Sequence, residues 1–222
     1  MIKALIFDFD GLILDTETPE VEVWKAIYAE HGFEYPLEKW SQTVGGWGAS
    51  TFDPAAALHN LAGSSLDLDE VRARHRKEST ALILREPVRL GVSDYLLHAP
   101  GFGLRLAIAS SSERAWVEPH LARLGLKQCF EKIICGDDVE SGHTKPYPDV
   151  YLKALSEMAI GPDEAVVLED SPNGVRAAKA AGLFVVAVPN PTTAQLPMDG
   201  ADITLKSLAD LPLQELLARV QA

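Results

Sequence analysis

Cysteine is nearly missing from this chain: Cys129 and Cys135 are the only two among 222 residues. They make no CxxC pair and no disulfide framework, which excludes a bridge-stapled secreted scaffold and fits a reducing cytoplasm. Long hydrophobic runs are missing as well. Nothing approaches the ~18 apolar residues that a membrane span requires, and the apolar stretch Ala4 to Phe7 is broken by Asp8 before a secretory h-region forms. Basic residues are scarce: 20 Lys and Arg against 32 Asp and Glu give a formal net charge of −12. That balance argues against nucleic acid or an anionic membrane as partner. A phosphate site in such a chain has to be assembled locally from a few cations and backbone amides. The six histidines show no ligand spacing, and neither an internal repeat nor a low-complexity tract is present.

What is there is a globular composition, 47% hydrophobic and 23% charged, enough for a real core in one large domain or two small ones. Lys3-Ala4-Leu5-Ile6-Phe7 reads as a buried strand running into Asp8-Phe9-Asp10-Gly11. Residues 16–88 then read as helical: a helix from Thr18-Pro19-Glu20 to His31-Gly32, with Val21, Trp24, Ile27 and Tyr28 at helical spacing, and others around 37–43, 51–61 and 68–84. From Gly91 onward short apolar runs alternate with helices. Strands are expected at 104–109, 132–135, 165–168, 184–188 and, as an edge, 202–205, with helices at 113–124, 146–158, 172–181 and 208–220. This alternation describes an α/β fold, a Rossmann-like parallel sheet covered by helices on both faces. The predicted organisation is a catalytic core of residues 1–15 and 89–222, with an all-helical cap of residues 16–88 inserted after the first strand. The cap is expected over the sheet's carboxyl edge, where open α/β sheets bind ligands.

The residues just past each predicted strand carry the chemistry. Asp8 and Asp10 follow the first, Ser110, Ser111 and Ser112 the second, Lys145 the third across a loop, and Glu169 and Asp170 the fourth. Two carboxylates two positions apart on extended chain project to one side, and like charges that close call for a cation or a proton between them. The set suits phosphoryl transfer to a carboxylate. An aspartate nucleophile divides one hard displacement into two easier ones through an acyl-phosphate. Mg²⁺ takes a few carboxylate oxygens, keeps room for a phosphate oxygen and neutralises charge. Lysine and serine hold phosphoryl oxygens, and a second acid protonates the leaving alcohol.

At these residues the chain resembles the haloacid dehalogenase-like superfamily, in its phosphatase and β-phosphoglucomutase branch. Asp8-Phe9-Asp10-Gly11 is similar to the first motif of that superfamily and Ala109-Ser110-Ser111 to the second. Lys145-Pro146-Tyr147-Pro148-Asp149 resembles the third, and Glu169-Asp170-Ser171 with Asn173-Gly174 the fourth. The resemblance implies Asp8 as nucleophile, Asp10 as general acid/base lending its backbone carbonyl to the metal, and Ser110 and Ser111 at the phosphate. It implies Lys145 bridging phosphate and nucleophile, and a magnesium site of Asp8, Asp10, Glu169 and Asp170. The Asp10 position favours phosphate esters over dehalogenation, which needs no proton donor.

The activity expected is therefore a Mg²⁺-dependent phosphatase of a small phosphorylated metabolite in the cytoplasm, monomeric or weakly dimeric, with no nucleic-acid or membrane partner. A β-phosphoglucomutase-type mutase is the rival. That reading implies a cap histidine shortly after the first motif, and Thr16-Glu17-Thr18-Pro19-Glu20 has none. A non-catalytic binding protein on the same fold is a third reading, opposed by the intact set of acids, serines and lysine at the four strand ends. Candidate cap specificity residues are Thr16 and Glu17 at the hinge, Trp47 in a glycine-rich loop, and Arg72 and Arg76, four apart on one helix face. Ser112 is expected to cap the following helix, Asn173 to organise its loop, and Trp24, Trp40 and Trp116 to pack.

Overall fold

The computed structural model describes residues 1–41, 43–44, 52–63 and 66–220. Among them, six strands form one parallel sheet: β1 (Ala4–Phe7), β2 (Arg105–Ala109), β3 (Lys132–Ile134), β4 (Ala165–Glu169), β5 (Phe184–Ala187) and β6 (Ile203–Thr204), in the order β3-β2-β1-β4-β5-β6. Strand β1 is central, with Phe7 in register with Ile108 on one side and Leu168 on the other. The strand order reverses there, so β1 and β4 flank the point at which open α/β sheets take their ligands.

Side chains of alternate strand positions feed two apolar clusters, one on each face. Leu5, Phe7, Leu106, Ile108, Val166 and Leu168 pack with residues of α5 (Val92–His98), α6 (Arg114–Arg123) and α9 (Leu213–Val220). Ala4, Ile6, Ala107, Val167 and Val185 pack with α7 (Asp149–Met158) and α8 (Pro172–Ala180). Both faces are thus covered, as the unbroken apolar strands require.

Between β1 and β2 the chain forms α1 (Glu17–Glu30), α2 (Leu37–Trp40), α3 (Pro54–Leu61) and α4 (Leu68–Ile83) before α5. These helices gather an apolar cluster of their own, including Val21, Trp24, Ile27, Tyr28, Tyr35, Trp40 and Leu58. The expected boundaries shift in places. Helix α1 starts at Glu17, because Asp15 accepts hydrogen bonds from the Thr18 amide (3.0 Å) and hydroxyl (2.8 Å) one turn on. Helix α2 stops at Trp40 rather than running to residue 43, and α5 falls where no helix is expected. Helix α7 starts at Asp149 rather than 146, since Pro146 and Pro148 disfavour helical backbone before them. The last helix starts at Leu213, after Pro212, instead of at 208.

Candidate active site

Strand β1 ends at Phe7, and Asp8 continues its line for one residue, its amide donating to the Leu168 carbonyl at 2.9 Å. Gly11, at φ +78°, then turns the chain, and its amide reaches the Leu14 carbonyl at 2.7 Å. The two acids therefore face different company. Asp8 lies buried beside Lys145, whose ammonium donates both to Asp8 Oδ1 and, at 2.6 Å, to Glu169 Oε1. Glu169 Oε1 also accepts from the Tyr151 hydroxyl at 2.6 Å, and Oε2 accepts from the amides of Asp170 (3.0 Å) and Ser171 (3.2 Å) and the Ser171 hydroxyl (3.2 Å). Gly174 is what lets helix α8 come this close: a Cβ there would overlap the Glu169 carboxylate.

Asp170, fully buried, accepts from Asn190 Nδ2 at 2.8 Å through Oδ2, and its Oδ1 has no partner among the described residues. Carboxylate oxygens of Asp8, Glu169 and Asp170 lie within 4.8 Å of one another. Three buried acids around one lysine are two positive charges short of balance. Burial raises Asp8 well above the ordinary carboxylate value, Lys145 opposes this, and Glu169 and Asp170 add to it. Burial likewise raises Asp170, reinforced by Glu17 and Glu169. Burial alone would lower Lys145, but Asp8 and Glu169 outweigh it and hold it firmly protonated. An orphaned buried oxygen on Asp170 and clustered carboxylates fit a small divalent cation with oxygen preference.

Asp10 stands apart from this cluster. Its Oδ2 accepts from Ser112 Oγ at 2.7 Å and lies 3.5 Å from Ser110 Oγ, while its Oδ1 accepts from the Trp116 indole N–H at 2.8 Å. Ser112 thus orients an acid instead of capping the helix, and Trp116, which packs against the core as expected, also orients that acid through its N–H, a role the sequence reading missed. Ser110 is buried and accepts from the Ser112 amide at 3.0 Å; Ser111 Oγ accepts from the Lys145 amide at 3.3 Å.

The cap candidates divide. Thr16 is buried just before α1. Glu17 is buried too, but it faces the core side of the site: Asn190 Nδ2 donates to it at 2.5 Å, and burial pushes its carboxyl up to about 8. Glu20, one turn along α1, is raised to about 7 by burial and by the charge of Asp10. Arg72 does not reach toward an anionic substrate; it pairs with Asp53 at 2.5 Å and Asp69 at 3.2 Å, tying α4 to the start of α3. Arg76 is exposed, and Trp47 lies outside the described residues. Contacts that join helical block to core include the Asn190–Glu17 bond, Asn173 Nδ2 donating to the Val44 carbonyl at 2.7 Å, and the Thr18 and Thr192 hydroxyls meeting at 3.0 Å. Just past the block, Arg89 donates to the carbonyls of Gly11, Val188 (3.0 Å) and Pro189 (2.9 Å).

Comparison with known proteins agrees with this geometry. Residues 5–188 match the sequence model of the haloacid dehalogenase-like hydrolases. YhcW of Bacillus subtilis, which carries a provisional phosphatase name, is 43% identical over 98% of this chain and 97% of its own. The fructose-1-phosphate phosphatase YqaB of Escherichia coli is 34% identical over 83% of this chain and 95% of its own. The crystal structure of a CbbY variant from Rhodobacter sphaeroides in complex with xylulose-1,5-bisphosphate superposes with a TM-score of 0.71, at 29% identity, covering 97% of this chain and 99% of that one.

Proposed function

The chain belongs to the haloacid dehalogenase-like hydrolase family as a hydrolase of phosphate monoesters, and we propose that it is a Mg²⁺-dependent phosphatase of sugar phosphates or similar small metabolites, acting through an aspartyl-phosphate on Asp8. The observation that carries this is the separation of the two acids, one clamped by Lys145 and the other by Ser112 and Trp116.

Lys145 occupies Asp8 Oδ1, which leaves Oδ2 to attack phosphorus. As the Oδ2–P bond forms, the ester P–O bond breaks, and Asp10 gives its proton to the departing alcohol oxygen. Asp10 then takes a proton from a water molecule, which attacks the acyl-phosphate; inorganic phosphate leaves and Asp8 is regenerated. Ser110, Ser111 and the Lys145 ammonium hold the transferring oxygens. Asp8 and Asp170 would hold Mg²⁺, with the Asp10 carbonyl and the charge of Glu169 in support; the ion supplies charge neutralisation between nucleophile and phosphoryl group. Residues 16–88 act as a cap that closes over the site, in keeping with their separate apolar cluster and the Asn173–Val44 bond.

Release of phosphate from a panel of phosphorylated sugars with Mg²⁺, and its loss in Asp8→Asn, tests the reading. Turnover that needs a bisphosphate activator and liberates no phosphate would instead mark a mutase.

A further inference from the structure

Strand β5 runs out into a short segment, residues 188–193, that touches both chain crossings between the helical block and the core. At the exit, Arg89 donates to the carbonyls of Val188 (3.0 Å) and Pro189 (2.9 Å). At the entrance, Thr192 Oγ1 meets Thr18 Oγ1 at 3.0 Å, and Asn190 Nδ2 donates to Glu17, the first residue of α1. The same Asn190 nitrogen donates to Asp170 Oδ2 at 2.8 Å. One buried amide therefore spans the start of the helical block and a carboxylate of the candidate cation site.

The orientation of that amide is fixed. Its Oδ1 accepts from the Thr192 and Thr193 amides, both at 2.9 Å, and the Asn190 backbone N–H donates to Thr193 Oγ1 at 2.9 Å. A carboxamide has two N–H donors and one acceptor oxygen. Turned over, it would aim its oxygen at two carboxylates and its N–H groups at two further N–H groups. Only one arrangement satisfies all of its partners. Asp170 gains its own orientation in turn. Its Oδ2 is held by Asn190 and crowded by Gly11, where a Cβ would come within 2.1 Å of it. Its Oδ1 is the oxygen left without a partner among the described residues. An outer partner that fixes one carboxylate oxygen presents the other to a metal.

We propose that Asn190 is a positioning residue that links the cation site to the seat of helix α1. It sets Asp170 for the cation, and its bond to Glu17 makes that setting depend on where the helical block begins. The inference rests on the reading of Asp170 as a Mg²⁺ ligand, which is the metal-binding part of the phosphatase proposal. Asn190 touches no reacting atom in it and acts through Asp170.

Mg²⁺ binding to the substrate-free protein is measured by calorimetry, alongside the Mg²⁺ activation constant for phosphate release from p-nitrophenyl phosphate. Asn190→Ala raises the Mg²⁺ Kd about tenfold. Saturating Mg²⁺ restores most of its lost kcat, which a general loss of structure would not permit. Glu17→Ala raises the Kd several-fold, whereas Glu17→Gln, which keeps an acceptor for Asn190, stays close to wild type. The double variant Asn190→Ala/Glu17→Ala binds Mg²⁺ no more weakly than Asn190→Ala alone, because both changes break one chain of bonds. If Asn190→Ala fails to fold, the two Glu17 variants carry the same comparison. An unchanged Kd in Asn190→Ala overturns the inference. So does a loss in Glu17→Gln as large as that in Glu17→Ala, since charge and not the bond would then be the cause. Wild-type protein that shows these Mg²⁺ ratios yet releases no phosphate overturns the phosphatase reading alone, and wild-type protein that binds no Mg²⁺ overturns both.

Discussion

The indole N–H of Trp116 donates to Asp10 Oδ1 at 2.8 Å across 106 residues of sequence. With Ser112 on the other oxygen, it fixes the orientation of the carboxyl. Trp116→Phe removes one hydrogen bond to a charged group, a loss of about 1.5–3 kcal/mol. The expected outcome is a fall in kcat of about ten- to a hundredfold on alkyl phosphates and a smaller one on p-nitrophenyl phosphate, whose leaving group needs little protonation. Equal losses on both esters would mean that Trp116 does not serve proton transfer.

Asp8→Asn keeps the shape of the buried site and removes its attacking oxygen. Turnover should drop by at least about a thousandfold, while circular dichroism and thermal midpoint stay close to wild type, because Glu169 still pairs with Lys145. Full activity in this variant would refute the nucleophile assignment.

Two glycines carry the packing of the acids. At Gly174 a Cβ would drive into the Glu169 carboxylate; at Gly11, with φ +78°, it would come within 2.6 Å of Asp170 Cγ and 2.7 Å of Asn190 Nδ2. Gly174→Ala and Gly11→Ala should each cost on the order of 2 kcal/mol or more in urea unfolding and lower activity in parallel, since strain and overlap add. A silent Gly174→Ala would mean that α8 can shift away from Glu169 freely.

The surplus of buried negative charge around Lys145 predicts linkage to divalent ions. Chelation should abolish phosphate release, Mg²⁺ should restore it, and Mg²⁺ should raise the thermal midpoint of the wild type by several degrees. In Asp170→Asn the midpoint should be higher without metal, because one repelling charge is gone, and respond less to Mg²⁺. An Asp170→Asn protein with an undiminished Mg²⁺ response would exclude Asp170 as a ligand.

Glu20 sets a pH dependence of stability. Its folded-state value, about 7, lies above the ordinary 4.5, first through burial and then through Asp10. Between these values the folded chain retains a proton that the unfolded chain has released, so stability falls as pH rises through this window and levels off above it. The half-exposed position limits the swing to the order of 1–2 kcal/mol. Urea denaturation at pH 5 and pH 8 should show a drop that is smaller in Glu20→Gln by about that amount; parallel drops would disprove the assignment.

Periodicity made the sheet and most helices legible, because buried parallel strands leave near-continuous apolar runs and the helices between β1 and β2 leave a 3.6-residue stripe. The acids, serine and lysine were legible because strand ends are fixed points in this architecture. What escaped were destinations. The Trp116 ring is apolar apart from its one N–H, and nothing local says that this N–H points at an acid; nothing local gives the target of the Ser112 hydroxyl either. Arg72 looked available because a helix face shows its own charges, while its partner Asp53 sits at the start of another helix. Helix α5 was missed because it is short and follows Gly91 in a left-handed conformation rather than a side-chain cap.

The helical block packs around Trp24, Tyr28 and Leu58, whereas the strand ends rest on clusters from the two sheet faces. Substitutions that reshape one set of contacts leave the other standing. Under the proposed function, such a chain can change what it recognises over evolutionary time while its transfer chemistry is inherited intact.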